Sequence, residues 1–217
     1  MLQSVIFDWD EVIVKTDAFN RSVFQKILPV RGLLFTPALY RKHFAGRQLR
    51  DGLEAYLQDV AGPAHLLDEL IAAKKSFDSE FGRLVMPHDD ALGLITRLRG
   101  RYPLAIASGT RKVLCDAGMV KLGLVEAFDA VITSEQYVYG KPAPDAFLAA
   151  LAMLNKFRGH TIQPKNTLVI EDHPLGVEAA KAAGMKCAAV THTHSADALS
   201  RADIVVDDLR DIHVEEL

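Results

Sequence analysis

Apolar positions along this chain follow two alternating periods. Short unbroken runs recur at Val5-Ile6-Phe7, Leu104-Ala105-Ile106-Ala107, Ala130-Val131-Ile132 and Leu168-Val169-Ile170. Runs of that length predict strands buried on both faces. Between them, apolar residues recur at three- and four-residue intervals. Phe19, Val23, Phe24 and Ile27 mark one helix, and Leu49, Leu53, Leu57 and Val60 mark another. Gly62-Pro63 predicts a break, after which Ala64 to Leu84 continues in a helical pattern. Asp90 to Arg99 is amphipathic, with Leu94, Ile95 and Leu98 on one face. A further helix is predicted after Asp172, with Pro174 at a tolerated first position and Gly184 at its stop.

Strands alternating with helices predict an α/β fold, a doubly wound Rossmann-like parallel sheet. The block from residue 15 to residue 84 breaks the alternation and reads as an inserted all-helical cap. Residues 1–14 and 85–217 are then the core.

The strands share a second property: each leads into polar residues. The first ends in Asp8-Trp9-Asp10. Residues two apart on a strand start on the same side, so these carboxylates repel unless a cation, a proton or a substrate lies between them. The pair suits a Mg²⁺ site, a carboxylate nucleophile or both; a turn or helix cap is the plainer alternative. The later strands lead into Ser108-Gly109-Thr110, Gly140-Lys141-Pro142 and Glu171-Asp172. Ligands of doubly wound sheets bind outside the carboxyl ends of the strands, so the four groups are expected to meet in one crevice.

Composition narrows the class. With 217 residues, the chain can bury an α/β core and a modest insertion. A hydrophobic share of 49% with 24% charged residues is that of a globular protein. The net charge of −3 supplies no basic surplus for nucleic acid or a membrane surface. No basic-then-apolar leader and no long apolar run appear, so a cytoplasmic protein is expected, as a monomer or weak homo-oligomer. Cys115 and Cys187 read as buried free thiols, with a disulfide as the alternative.

The order Asp-x-Asp, Ser, Lys in Gly-Lys-Pro-Ala-Pro-Asp, then Glu-Asp before Gly-Val-Glu-Ala-Ala-Lys-Ala-Ala-Gly-Met resembles the haloacid dehalogenase superfamily of phosphohydrolases. The resemblance covers nearly the whole chain. It is to the branch with a small helical cap, which includes phosphoglycolate, sugar and glycerol phosphatases and β-phosphoglucomutase. It implies a Mg²⁺-dependent phosphatase of a small phosphorylated metabolite (a sugar, polyol or glycolate phosphate). Asp8 would be the nucleophile that forms an aspartyl-phosphate, and Asp10 the acid and then the base. An acid at the second position separates phosphatases from the dehalogenases, which have no alkoxide to protonate. Ser108, the Gly109 amide and Lys141 would bind the phosphoryl group. Asp8, the Asp10 carbonyl, Glu171 and Asp172 would hold the metal, although an N-cap role for Glu171 or Asp172 is also open.

Several positions depart from the family pattern. Glu11 replaces the usual Gly, Lys15 an expected acid, and His173 a small residue. Glu11 is expected to turn away from the substrate, toward Lys15 or a cap arginine. Asn20 and Leu49 stand where a mutase would carry His and Arg. Both departures weigh against a phosphoglucomutase-like isomerase, which stays as the alternative, together with a weakly active homologue with a binding role that Glu11 and Lys15 suggest. Substrate choice is expected to reside in the cap, where His43 and Arg47 are candidate polar residues facing the crevice.

Overall fold

The structure is a computed structural model and describes residues 1–158 and 161–217. Among the described residues eight strands are formed: β1 (Ser4–Phe7), β2 (Val14–Lys15), β3 (Met86–Pro87), β4 (Leu104–Ala107), β5 (Ala130–Ile132), β6 (Thr167–Glu171), β7 (Lys186–Val190) and β8 (Ile204–Val206). Six of them build one sheet in the order β5-β4-β1-β6-β7-β8, every pair parallel. The order reverses direction at β1, which pairs with β4 on one side and β6 on the other. That reversal opens the crevice beyond the carboxyl end of β1.

Side-chain alternation explains why the predicted strands carry no polar face. Val5 and Phe7 point into one apolar layer with Ile106, Leu168 and Ile170, while Ile6 points into the other with Ala105 and Val169. The first layer is covered by α6 (Asp89–Leu98) and α7 (Lys112–Leu122). The second is covered by α8 (Asp145–Arg158) and α9 (Pro174–Ala182). Pro174 opens α9, and Gly184 takes the left-handed conformation (φ 72°) just beyond its end, as the sequence predicts. Cys115 and Cys187 are free and buried, one in each layer.

The cap contains α1 (Asp17–Ile27), α2 (Pro37–His43), α3 (Leu49–Asp59), α4 (Leu67–Lys75) and α5 (Asp78–Leu84). Its own core joins Val23, Phe24 and Ile27 of α1 with Leu53, Tyr56 and Leu57 of α3 and Leu70 of α4. The helical spacing anticipated these faces. It did not anticipate β2 and β3, which pair antiparallel where the chain enters and leaves the cap (Val14 opposite Pro87, Lys15 opposite Met86). Two residues per strand are too short to leave a period in the sequence.

Candidate active site

At the end of β1, Asp8 and Asp10 reach the crevice while Trp9 between them is fully buried in the core. The side-chain alternation expected of an extended segment thus holds past the strand's last paired residue. Lys141 Nζ lies 2.7 Å from Asp8 Oδ1 and 2.5 Å from Glu171 Oε1. Asp10 Oδ2 accepts a hydrogen bond from Thr110 Oγ1 (2.6 Å) and a longer one from Ser108 Oγ (3.4 Å). Ser108 Oγ accepts from the Thr110 amide at 2.9 Å, which fixes the turn after β4. The groups read from four separate segments therefore converge.

Glu171 is fully buried. Its Oε2 accepts from the amides of Asp172 (3.1 Å) and His173 (3.2 Å), so it both pairs with Lys141 and satisfies backbone at the entry to α9. A Cβ at Gly176 would lie 1.9 Å from Glu171 Oε1, which makes glycine a requirement of the buried carboxylate. The α9 cap itself is His173, whose Nδ1 accepts from the Leu175 amide at 3.2 Å. Burial lowers the His173 pKa to about 3, so the imidazole is neutral. Asp172 accepts a short hydrogen bond from Thr193 Oγ1.

Asp8, Glu171 and Asp172 bring carboxylate oxygens within 4.8 Å of one another. Burial raises the Asp8 carboxyl to about 7 despite Lys141, and Glu171 and Asp10 push the same way. Burial and the neighbouring Glu171 hold Asp172 well above the usual carboxylate range. One lysine does not balance so many buried acids. A hard divalent cation with oxygen preference fits this donor set, since it supplies the missing charge.

Between core and cap lies a cleft of about 370 Å³. Arg47 lines it, together with Asp17, Asn20, Tyr40 and Gln48 of the cap. Gln48 Nε2 is buried without a hydrogen-bond partner among the described residues. His43 is not brought to the cleft. It is buried behind the cap wall, where Nε2 contacts Asp59 Oδ2 at 2.8 Å and the ring packs edge-on against Phe44 and Tyr56. It lies on the same helix as Tyr40, which does reach the cleft.

Glu11 also departs from expectation. Its partners are the amides of Thr16 and Asp17 and the ring of His88, rather than Lys15 or a cap arginine. Thr110, expected in the crevice with Ser108 and Gly109 but given no role, bonds Asp10. His192 and Thr193 join the site unannounced, because a lone hydroxyl or imidazole after a strand carries no signal until the sheet order is known.

A parallel sheet reversing at an acid-bearing central strand, a lysine bridging two carboxylates and an inserted helical cap define a capped α/β hydrolytic enzyme. The family model of haloacid dehalogenase-like hydrolases matches residues 5–190, and the chain belongs to that family. It is 28% identical over 214 residues to validoxylamine A 7'-phosphate phosphatase of Streptomyces hygroscopicus subsp. limoneus, covering 98% of this chain and 96% of the relative. It is 27% identical over 186 residues to the fructose-1-phosphate phosphatase of Escherichia coli K12, covering 83% and 92% of the two chains. The crystal structure of CbbY from Rhodobacter sphaeroides in complex with phosphate shares the fold, with a TM-score of 0.81 at 21% identity and coverage of 97% and 96%. No helix among the described residues is long and apolar enough to cross a membrane.

Proposed function

We propose that the protein is a Mg²⁺-dependent phosphatase of a phosphorylated sugar or polyol, working through an aspartyl-phosphate. The observation that carries this reading is the meeting of Asp8, Asp10, Ser108, Lys141, Glu171 and Asp172 beyond the carboxyl ends of β1, β4, β5 and β6 beneath the cap. Asp8 attacks phosphorus as the bond to the leaving oxygen breaks, and Asp10 gives that oxygen its proton. Burial raises the Asp10 carboxyl above its ordinary value, which favours the protonated form the first step needs. Asp10 then takes a proton from water, whose oxygen attacks phosphorus and releases Asp8 and inorganic phosphate. Ser108, the Gly109 amide and Lys141 are assigned to the phosphoryl oxygens. Asp8, Asp172, Glu171 and the Asp10 carbonyl would hold Mg²⁺, which when bound supplies charge neutralisation and polarises the phosphoryl group.

The leaving group is read from the cleft wall. Asp17, Asn20, Tyr40, Arg47 and Gln48 offer donors and acceptors along a space much larger than glycolate needs. Relatives named for validoxylamine A 7'-phosphate and fructose 1-phosphate agree with a polyhydroxylated substrate. Phosphate release from a panel of sugar, polyol, glycolate and nucleotide phosphates, without a bisphosphate activator, tests the proposal. Turnover should be abolished by EDTA, restored by Mg²⁺ and restored poorly by Ca²⁺, whose longer bonds misplace Asp8. Phosphoglycolate as the preferred member would refute the substrate reading. A requirement for bisphosphate would favour the mutase.

A further inference from the structure

Glu11 holds a backbone conformation that its residue type disfavours. Its φ is 59°, in the left-handed region, a cost of order ~1 kcal/mol for a residue with a Cβ. Its side chain accounts for its presence there. Oε1 accepts from the amides of Thr16 and Asp17, both at 2.5 Å, where α1 begins. Thr16 is the N-cap residue but makes no capping bond of its own, so Glu11 serves that helix end from five residues away. Oε2 lies 3.5 Å from His88 Nε2, on the chain leaving the cap. The Glu11 amide donates to the Val14 carbonyl at 2.7 Å, and the His88 amide to the Ile13 carbonyl at 2.9 Å. One side chain thus touches both connections between core and cap.

The backbone of Glu11 is anchored in turn by the core. Its carbonyl oxygen accepts from His192 Nδ1 at 2.7 Å, and His192 Nε2 lies 3.0 Å from Asp90 Oδ2. Both ring nitrogens of His192 therefore face oxygen atoms, one of the Glu11 backbone and one of Asp90. Asp90 is fixed by the amides of Leu209 and Ala91, each at 3.0 Å. His88 stacks on His192 with ring centres 3.9 Å apart and planes 8° from parallel. His88, Asp90 and His192 present donor atoms within 4.8 Å of one another. Rings stacked this way place their lone pairs in separate parallel planes, so no ion can lie in the plane of both. The cluster is a hydrogen-bonded clamp and not a metal centre.

We propose that Glu11, clamped through its carbonyl by His192 and Asp90, is a positioning residue that latches the cap to the catalytic loop. Asp10 immediately precedes it and is held in place through the Glu11 carbonyl by His192. The side chain therefore acts on cap closure over the substrate and leaves the placement of Asp10 to the backbone clamp. The inference rests on the phosphatase reading for its kinetic readout only.

The test compares the wild type with Glu11→Gly and Glu11→Gln by backbone amide exchange and by kinetics on the best panel substrate. Glycine keeps the left-handed backbone and the carbonyl that His192 binds and removes the latch. Because Glu11 also lines the cleft, Glu11→Gln separates loss of its charge from loss of the latch. Exchange at Thr16 and Asp17 should quicken by about tenfold or more in Glu11→Gly. KM should rise by about tenfold while kcat stays within about threefold. Glutamine keeps an acceptor for the two amides, so Glu11→Gln should remain close to wild type in both readouts. Unchanged protection and KM in Glu11→Gly would overturn the proposal. So would a parallel fall of kcat and Tm at constant KM, which marks a purely structural residue. A glutamine variant as loose as the glycine variant would also overturn it. If the wild type releases phosphate from no panel member, the phosphatase reading fails while the exchange measurement still decides the latch.

Discussion

Gly46 of the cap lies against the imidazole of His173 on the core, so closely that a Cβ at Gly46 would sit 2.6 Å from His173 Cγ. Gly46 is also in the left-handed conformation (φ 67°), so two separate constraints exclude a side chain there. The two residues are complementary: the ring that replaces a small residue at the start of α9 faces a cap position that has none. Gly46→Ala is expected to hold the cap off the core and to lower kcat/KM by about tenfold or more, since small misplacements of a closing element are costly. Adding His173→Ala should recover part of that loss, because the ring is the obstacle. Kinetics of the single and double variants check this, and equal activity of the two would locate the defect in backbone strain alone.

On the proposed covalent mechanism, Asp8→Asn should leave folding intact and reduce turnover by about 10⁴-fold or more, the loss expected on removing a nucleophile. The amide is nearly isosteric but cannot attack phosphorus. It also removes a carboxylate that burial and its acidic neighbours already disfavour in charged form, so the variant should match or exceed the wild type in Tm. Retention of a tenth of the wild-type rate would exclude the covalent route.

The fold and the inner site were legible in the sequence for a shared reason. Val5-Ile6-Phe7 and Leu168-Val169-Ile170 are buried on both faces of a parallel sheet, so their apolar runs are unbroken. Their polar ends follow directly in sequence, which places Asp8, Glu171 and Asp172 without further information. The cap wall was not legible in the same way. His43 and Tyr40 lie one turn apart on α2, and helical spacing alone does not say which of them the packing turns inward. Contact with Asp59, sixteen residues away, decided His43, and that pairing depends on how α2 and α3 cross. The role of Glu11 was hidden because its partners include His88, which only the β2–β3 pairing brings near.

Arg47 and His43 should accordingly behave differently. Arg47→Ala should alter the ranking of substrates by kcat/KM, because Arg47 lines the cleft to which the proposed function assigns the leaving group. His43→Ala should leave that ranking unchanged and lower Tm, since it opens a space beside Tyr56 and Phe44 and strips Asp59 of a partner. Loss of a packed, hydrogen-bonded side chain costs about 1–3 kcal/mol. Relative rates across the phosphate panel, with thermal melts of both variants, separate the two roles.

Lys74 lies buried near the end of α4, its ammonium 5.0 Å from the centre of the Phe19 ring. Burial pulls its pKa down to about 8, with Arg111 acting in the same direction against Asp78 and Asp10. Asp78, which favours the charge, is itself paired with Arg111. Below about pH 8 the lysine is protonated in both folded and unfolded chains, and the folded state bears the full penalty of a buried charge. Between that pH and the ordinary lysine value of about 10.4, the unfolded chain holds a proton that the folded chain has lost, so this group's contribution to stability rises with pH. Lys74→Met keeps an unbranched apolar stem, one atom shorter, and carries no charge. It should therefore be more stable than the wild type near pH 7, with Tm raised by about 2–4 °C for each kcal/mol gained. The advantage should shrink steadily as the pH is raised through 8 toward 10. Melts of both proteins across that range check the sign. A methionine variant less stable than the wild type by a constant margin at every pH would show that the lysine is held by attractions stronger than its burial.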